Sequence, residues 1–272
     1  MNATAEERDP ADEPGAGGPA AVESGTADDA EHTYDPVAIS YWDHAADFPP
    51  LVKQNLLYRF VHFMARWVFR WYFQIELIGG DKIPTNGPVI LAASHRSNID
   101  TPFLGLTTRR PVNFMAKQQF FKTKWSLRLF RRLGAFPVNR EAPDKDALKR
   151  ALEVLGAGGV LGIYPEGTRR DGAKIGEVLR GPAWLAVKSQ ATVVPVGIGG
   201  SAAVQPKGSS KISPAKVRIV IGDPIKAPPG RGKQATDEFT TQLVESLQAA
   251  FDAAGGVGPL ERVPRAQYSR GY

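Results

Sequence analysis

Val89-Ile90-Leu91-Ala92-Ala93-Ser94-His95-Arg96-Ser97-Asn98-Ile99-Asp100-Thr101-Pro102 is an apolar run closed by a polar turn. The run is short and is preceded by Asn86-Gly87-Pro88, which favours a buried strand over a helix segment. Ser97, Asn98, Asp100 and Thr101 are all residue types that cap helix starts, and Pro102 suits a first helical turn. His95 is therefore expected at the carboxyl end of a strand, where open α/β sheets place their ligands. A carboxylate five residues on can fix the imidazole tautomer and stabilise the imidazolium formed on proton abstraction, which makes His95 and Asp100 a candidate general-base pair. Ser97-x-x-Asp100 also reads as a capping box beside a structural histidine. The pair alone leaves both readings open.

Working outward, short apolar strands are predicted at 74–78, 89–94, 112–116, 135–139, 160–164, 193–198 and 216–221. Helical stretches fit between most of them, at 101–108, 120–132, 144–156 and 179–190, with a last one at 234–253. This alternation predicts an α/β fold with a central, mostly parallel sheet of about seven strands flanked by helices. Residues 202–215 are expected to form a loop, and 254–272, with Gly, Pro and Arg, a mobile C-terminal tail.

Charge is unevenly distributed. The chain carries a formal +6, but residues 1–48 hold twelve Asp or Glu against one Arg, a net −11. The remainder carries 33 basic against 16 acidic residues, a net +17. The acidic leader is poor in large apolar groups and is expected to be a disordered tail. The basic body suits anionic headgroups, phosphorylated substrates, nucleic acid or acidic carrier proteins. Cysteine is absent, which excludes disulfides, thiolate nucleophiles and cysteine-held metals. No secretory leader is recognised and no run reaches the ~18 apolar residues of a membrane span. The expected location is the cytosol or the cytoplasmic face of a membrane, bound peripherally.

Residues 49–74 contain a predicted amphipathic helix, LVKQNLLYRFVHFMARWVFRWYF at 51–73. Arg59, His62, Arg66 and Arg70 recur at three- and four-residue spacing as a basic stripe, while Phe60, Phe63, Met64, Trp67, Phe69, Trp71 and Phe73 crowd the remaining surface. That is the composition of an interfacial helix lying on anionic lipid, and equally of a helix packed on its own core. Phe120–Arg132 is a second basic and aromatic segment, with Lys122, Lys124, Arg128, Arg131 and Arg132 among Phe120, Phe121, Trp125 and Phe130. It is read as a second bilayer contact. No zinc-finger spacing or RNA-binding signature accompanies these patches, so nucleic acid is not an expected partner.

Three further strand ends carry cations. Val112–Ala116 leads to Lys117, Gly134-Ala135-Phe136-Pro137-Val138-Asn139 leads to Arg140, and Val160–Ile163 leads to Tyr164-Pro165-Glu166-Gly167-Thr168-Arg169. Gly167 permits close backbone approach and an arginine grips phosphate in bidentate fashion. Together Lys117, Arg140 and Arg169 suit a dianionic phosphate monoester.

His95-Arg96-Ser97-Asn98-Ile99-Asp100 resembles the first sequence block of the glycerolipid acyltransferases, the family that includes the lysophosphatidic acid acyltransferases. Lys117 with Gly134–Arg140 resembles the second block, Tyr164-Pro-Glu-Gly-Thr-Arg169 the third and Val193-Val194-Pro195-Val196-Gly197 the fourth, in the family's order across roughly 75–225. The departures are Tyr164 where phenylalanine is commoner, Ser94 where asparagine is commoner and Phe120 where leucine is commoner. The resemblance implies an acyltransferase domain over 75–253. It implies transfer of a fatty acyl group from a thioester on coenzyme A or acyl carrier protein to the free hydroxyl of 1-acylglycerol 3-phosphate, giving phosphatidate, with no cofactor and no metal. It implies His95 as general base oriented by Asp100. It also implies an acceptor site formed by Lys117, Arg140 and Arg169 and shaped by Glu166, Gly167 and Thr168, with Pro195 on the acyl-chain side. Glycerol 3-phosphate, another lysolipid or a glycolipid is the alternative acceptor within the family, and a non-catalytic lipid-binding protein is the alternative outside it. A serine hydrolase is disfavoured, because no Gly-x-Ser-x-Gly elbow is present.

Overall fold

The computed structural model describes residues 56–139, 144–229 and 233–261, apart from the side chain of Leu57. The acidic leader, Arg140 and residues 262–272 lie outside them. In chain order the elements are α1 (Leu56–Phe73), β1 (Glu76–Ile78), β2 (Val89–Ala93), α2 (Asp100–Gly105), β3 (Val112–Lys117), α3 (Lys124–Arg132) and β4 (Ala135–Val138). There follow α4 (Lys145–Gly156), β5 (Val160–Ile163), α5 (Arg180–Ser189), β6 (Thr192–Gly199), α6 (Ser201–Val204), β7 (Arg218–Ile221) and α7 (Lys233–Ala253).

The seven strands form one sheet in the order β1-β7-β6-β2-β5-β3-β4. Strands β6, β2, β5, β3 and β4 are parallel to one another, while β7 runs antiparallel to β6 and carries β1 parallel to itself. The chain ends of five strands therefore share one edge. Every residue of β2 is fully buried, because helices cover both faces. Ile90 and Ala92 join Leu161, Ile163 and Val193 under α3, α4, α5 and α7. Val89, Leu91 and Ala93 join Val194, Val196 and Ile198 on the opposite face, with Phe73 of α1 and Phe103 and Leu104 of α2. A strand buried on both sides must be apolar without alternation, and that is the pattern β2 shows. Pro137 sits in β4, the edge strand, where a missing backbone donor leaves no ladder bond unmade.

Gly197 and Gly199 bring α7 onto the sheet. A Cβ at Gly197 would collide with the Ala250 carbonyl, and one at Gly199 with that of Ala254. No residue but glycine fits at that distance.

Four details depart from the sequence-based expectations. His62 faces inward from α1, where its Nε2 donates to the Gly105 carbonyl at 3.3 Å, so the basic stripe lacks its imidazole. Phe69 and Phe73 also turn inward, edge-on to Phe103. The exposed apolar residues of α1 are therefore Leu56, Phe60, Phe63, Met64, Trp67, Val68 and Trp71. The predicted loop at 202–215 begins as the one-turn helix α6. The expected mobile tail starts as a seated segment, with Ala254 buried and Leu260 bridging Lys216.

Candidate active site

The edge formed by the ends of β2 and β5 is built around the Asp100 carboxylate. β2 runs on past Ala93: the Ser94 N–H donates to the Val196 carbonyl at 3.1 Å, and the Ser94 Oγ accepts from the Ile198 N–H at 3.0 Å. The chain then turns, and Asp100 Oδ2 accepts the backbone N–H groups of Arg96 and Ser97, both at 2.7 Å. The same oxygen lies 3.0 Å from His95 Nδ1. One carboxylate oxygen thus ties down the turn and lies beside the histidine, while Ser97 does not form the capping box: the Asp100 N–H donates to the Ser97 backbone carbonyl at 3.2 Å, and Ser97 Oγ donates to the Gln205 carbonyl at 2.8 Å. Helix α2 begins at Asp100 itself, and Ile99 at its cap makes no side-chain capping bond. Asp100 Oδ1 is buried without a hydrogen-bond partner among the described residues.

A carboxylate beside Nδ1 selects the tautomer with hydrogen on Nδ1, so the Nε2 lone pair is left to accept a proton. Tyr164, at the end of β5, stacks on the imidazole with ring centroids 3.9 Å apart and planes inclined by 16°. Its hydroxyl donates to Thr101 Oγ1 in the first turn of α2 at 3.1 Å. The ring of His95 is therefore held at its edge by Asp100 and over its face by Tyr164. Only about 7% of the side chain is exposed.

Arg96 is the residue whose role the sequence did not disclose. Its guanidinium is buried and donates to Glu166 Oε2 at 2.7 Å, to the His95 carbonyl at 3.0 Å, and to the carbonyls of Gly172 and Lys174 at 3.0 Å each. It lies 4.6 Å from the centre of the Phe251 ring on α7. Glu166 is thereby occupied: Oε2 takes Arg96 and, at 3.4 Å, the His95 N–H, while Oε1 takes the Gly176 N–H at 2.9 Å. Glu166 acts on the loop 166–176, which it clamps to the strand end. The only local hint was the adjacency of Arg96 to His95, since the partner is 70 residues away.

The remaining expected residues divide. Arg169 is half-buried one position before Arg170, whose N–H donates to the His95 carbonyl at 3.0 Å, so it belongs to the same edge. Lys117 is half-buried at the end of β3, two strands from β2, about 10 Å away at ordinary strand spacing. Among the described residues neither cation makes an ion pair. Gly167 adopts φ +67°, the left-handed turn that lets the loop double back, and Thr168 is exposed. Arg140 lies outside the described residues; its neighbour Asn139 is held by Asp144, which also caps α4. Pro195 is buried inside β6 opposite Ala92, three residues short of the edge that carries His95. Among the described residues no cluster of His, Asp and Glu could hold a metal ion.

Residues 74–199, a little under half of the chain, match the protein-family model described as Acyltransferase. The 1-acyl-sn-glycerol-3-phosphate acyltransferase of Bacillus subtilis is 25% identical over 185 residues, 65% of this chain and 90% of that one. The chloroplastic LPAT1 of Arabidopsis thaliana, of the same name, is 27% identical over 70% of this chain, which spans only 54% of its length. The crystal structure of the 1-acyl-sn-glycerophosphate (LPA) acyltransferase PlsC from Thermotoga maritima superposes with a TM-score of 0.61 over 80% of this chain and 95% of that one, at 22% identity. That likeness establishes a shared fold.

Proposed function

We propose that this protein is a 1-acylglycerol-3-phosphate O-acyltransferase that forms phosphatidate from a lysophosphatidate and a fatty acyl thioester of coenzyme A or acyl carrier protein. The observation that carries the reading is the His95–Asp100 contact at 3.0 Å beneath the Tyr164 ring. Nε2 of His95 takes the proton of the acceptor hydroxyl as its oxygen attacks the thioester carbonyl. Asp100 stabilises the imidazolium so formed. The tetrahedral intermediate collapses with cleavage of the carbon–sulfur bond, and the imidazolium proton passes to the departing sulfur. Products are the ester and a free thiol, so the protein needs no covalent intermediate.

Arg169 and Lys117, with Arg140, supply charge for the acceptor phosphate, and Gly167 and Thr168 shape the turn that presents Arg169. The Arg96–Glu166 pair fixes that turn against His95. Pro195 packs the sheet beneath, on the side assigned to the acyl chain. No described helix is long and apolar enough to cross a membrane. The exposed Phe60, Phe63, Trp67 and Trp71 on α1, flanked by Arg59 and Arg66, suit peripheral attachment to the anionic, cytosolic leaflet.

The test is thiol release from acyl-coenzyme A by purified protein on vesicles, with lysophosphatidate, glycerol 3-phosphate or lysophosphatidylcholine as acceptor. Release is expected with lysophosphatidate. Equal or greater release with either other acceptor would overturn the substrate assignment.

A further inference from the structure

We propose that the outer face of α3, with the turn before it, is a second docking surface for an anionic lipid bilayer, distinct from that of α1. It deepens the reading of this chain as an enzyme of membrane lipids and rests on it. Between Asp100 and Glu141 the sequence holds nine Lys or Arg and no acidic residue. The structure sorts these residues by face. Immediately after Lys117, the 3-10 turn Gln118–Phe121 buries Phe121 completely and leaves Phe120 51% exposed. Thr123 and Ser126 then close a reciprocal capping box that starts α3. Leu127 is buried and Phe130 packs beside it on the core. The opposite face carries Lys124, Trp125, Arg128 and Arg132, all exposed, with Lys122 beside them.

Trp125 is 70% exposed, the most open tryptophan among the described residues. A tryptophan ringed by cations and covered by nothing has the chemistry of the headgroup region, where its ring is half dehydrated and each cation adds favourable charge. An acidic carrier protein would account for the cations but gives no reason for Phe120 and Trp125 to stand out of the surface together. Position supports the bilayer as well. The surface starts three residues beyond Lys117, at the same sheet edge as His95, so docking there sets the phosphate-binding cations at headgroup level. A lipid acceptor then reaches the edge without leaving the membrane.

The experiment uses the full chain, sedimented with vesicles of phosphatidylcholine alone or mixed with phosphatidylglycerol. One variant is Lys122→Gln/Lys124→Gln/Arg128→Gln, and a second is Phe120→Ala/Trp125→Ala, both with α1 intact. Neutralising three surface cations is expected to weaken partition onto the anionic vesicles by about 10²-fold at low salt, with little effect on phosphatidylcholine alone. The aromatic variant is expected to weaken partition onto both. Turnover of a short-chain acceptor in solution should match the parent in each, which also certifies folding. Unchanged partition of both variants overturns the proposal, and so does weakened capture of an acidic carrier protein with partition intact. Should the parent turn over no lysophosphatidate while the partition losses appear as expected, the docking surface stands and the substrate assignment falls.

Discussion

Glu166→Gln keeps the shape of the side chain and removes its charge, leaving the Arg96 guanidinium buried opposite a neutral amide. The side chains are about 1% and 0% exposed in the pair, so neither partner can turn to solvent. Breaking a buried ion pair from one side costs about 3–5 kcal/mol, because the remaining charge is uncompensated. The carbonyls of Gly172 and Lys174 still hold Arg96, which places the expected loss toward the lower end. In a domain of this size each kcal/mol moves the midpoint of thermal unfolding by about 2–4 °C, so a fall of roughly 6–20 °C is expected by circular dichroism. Glu166→Leu/Arg96→Met removes both charges and should recover part of that loss, since an apolar replacement of a buried pair is often neutral. Lys207→Gln serves as the comparison: its 2.9 Å bridge to Asp171 is exposed on both sides, and its loss should stay within about 0.5 kcal/mol. A Glu166→Gln shift no larger than that of Lys207→Gln would refute the clamp.

Three other outcomes follow from the geometry. Tyr164→Phe keeps the ring over His95 and loses the bond to Thr101; kcat should fall about 2–10-fold with acceptor KM unchanged, and Tyr164→Ala should fall further. A wild-type kcat in Tyr164→Ala would remove the ring from the account. Burial lowers the pKa of His62 from its ordinary 6.5, aided by Arg66 and only partly opposed by the Gly105 carbonyl and Thr108. The folded state then favours the neutral ring, so stability is full above pH 6.5 and declines as pH falls toward the lowered folded value. Protection factors in α1, corrected for the intrinsic pH dependence of amide exchange, should fall as pH is lowered from 7.5 to 5 in the parent but not in His62→Gln. Gly197→Ala forces a methyl into the Ala250 carbonyl and should cost about 1–3 kcal/mol or more in urea unfolding; an unaltered midpoint would mean that α7 yields freely.

Much of this was legible in the sequence because its signals are local. All seven strands and the helices between them, apart from the one-turn α6, were marked by short apolar runs and capping residues, and each of these boundaries fell within a few positions of the element observed. The reversal of β7 was not legible, because a four-residue apolar strand reads the same in either direction. His95 and Asp100 could be paired because five residues of turn fix their separation. Arg96 could not be assigned, since its burial depends on Glu166 and on Phe251, which the fold brings from distant parts of the chain. Glu166, expected to face substrate, is turned instead toward Arg96 and the Gly176 N–H. Helix α1 shows the limit of composition: its aromatics were visible, but which of them face Phe103 is set by the helix it packs on.

The chemical claim rests on Nε2 of His95. Acyl transfer from acyl-coenzyme A to lysophosphatidate, followed as thiol release by His95→Ala beside the parent, tests it most directly. The expected result is a fall in kcat of about 10²–10⁴-fold, the contribution of a positioned general base, with the unfolding midpoint little changed. Near-parental turnover by a folded His95→Ala protein would contradict it.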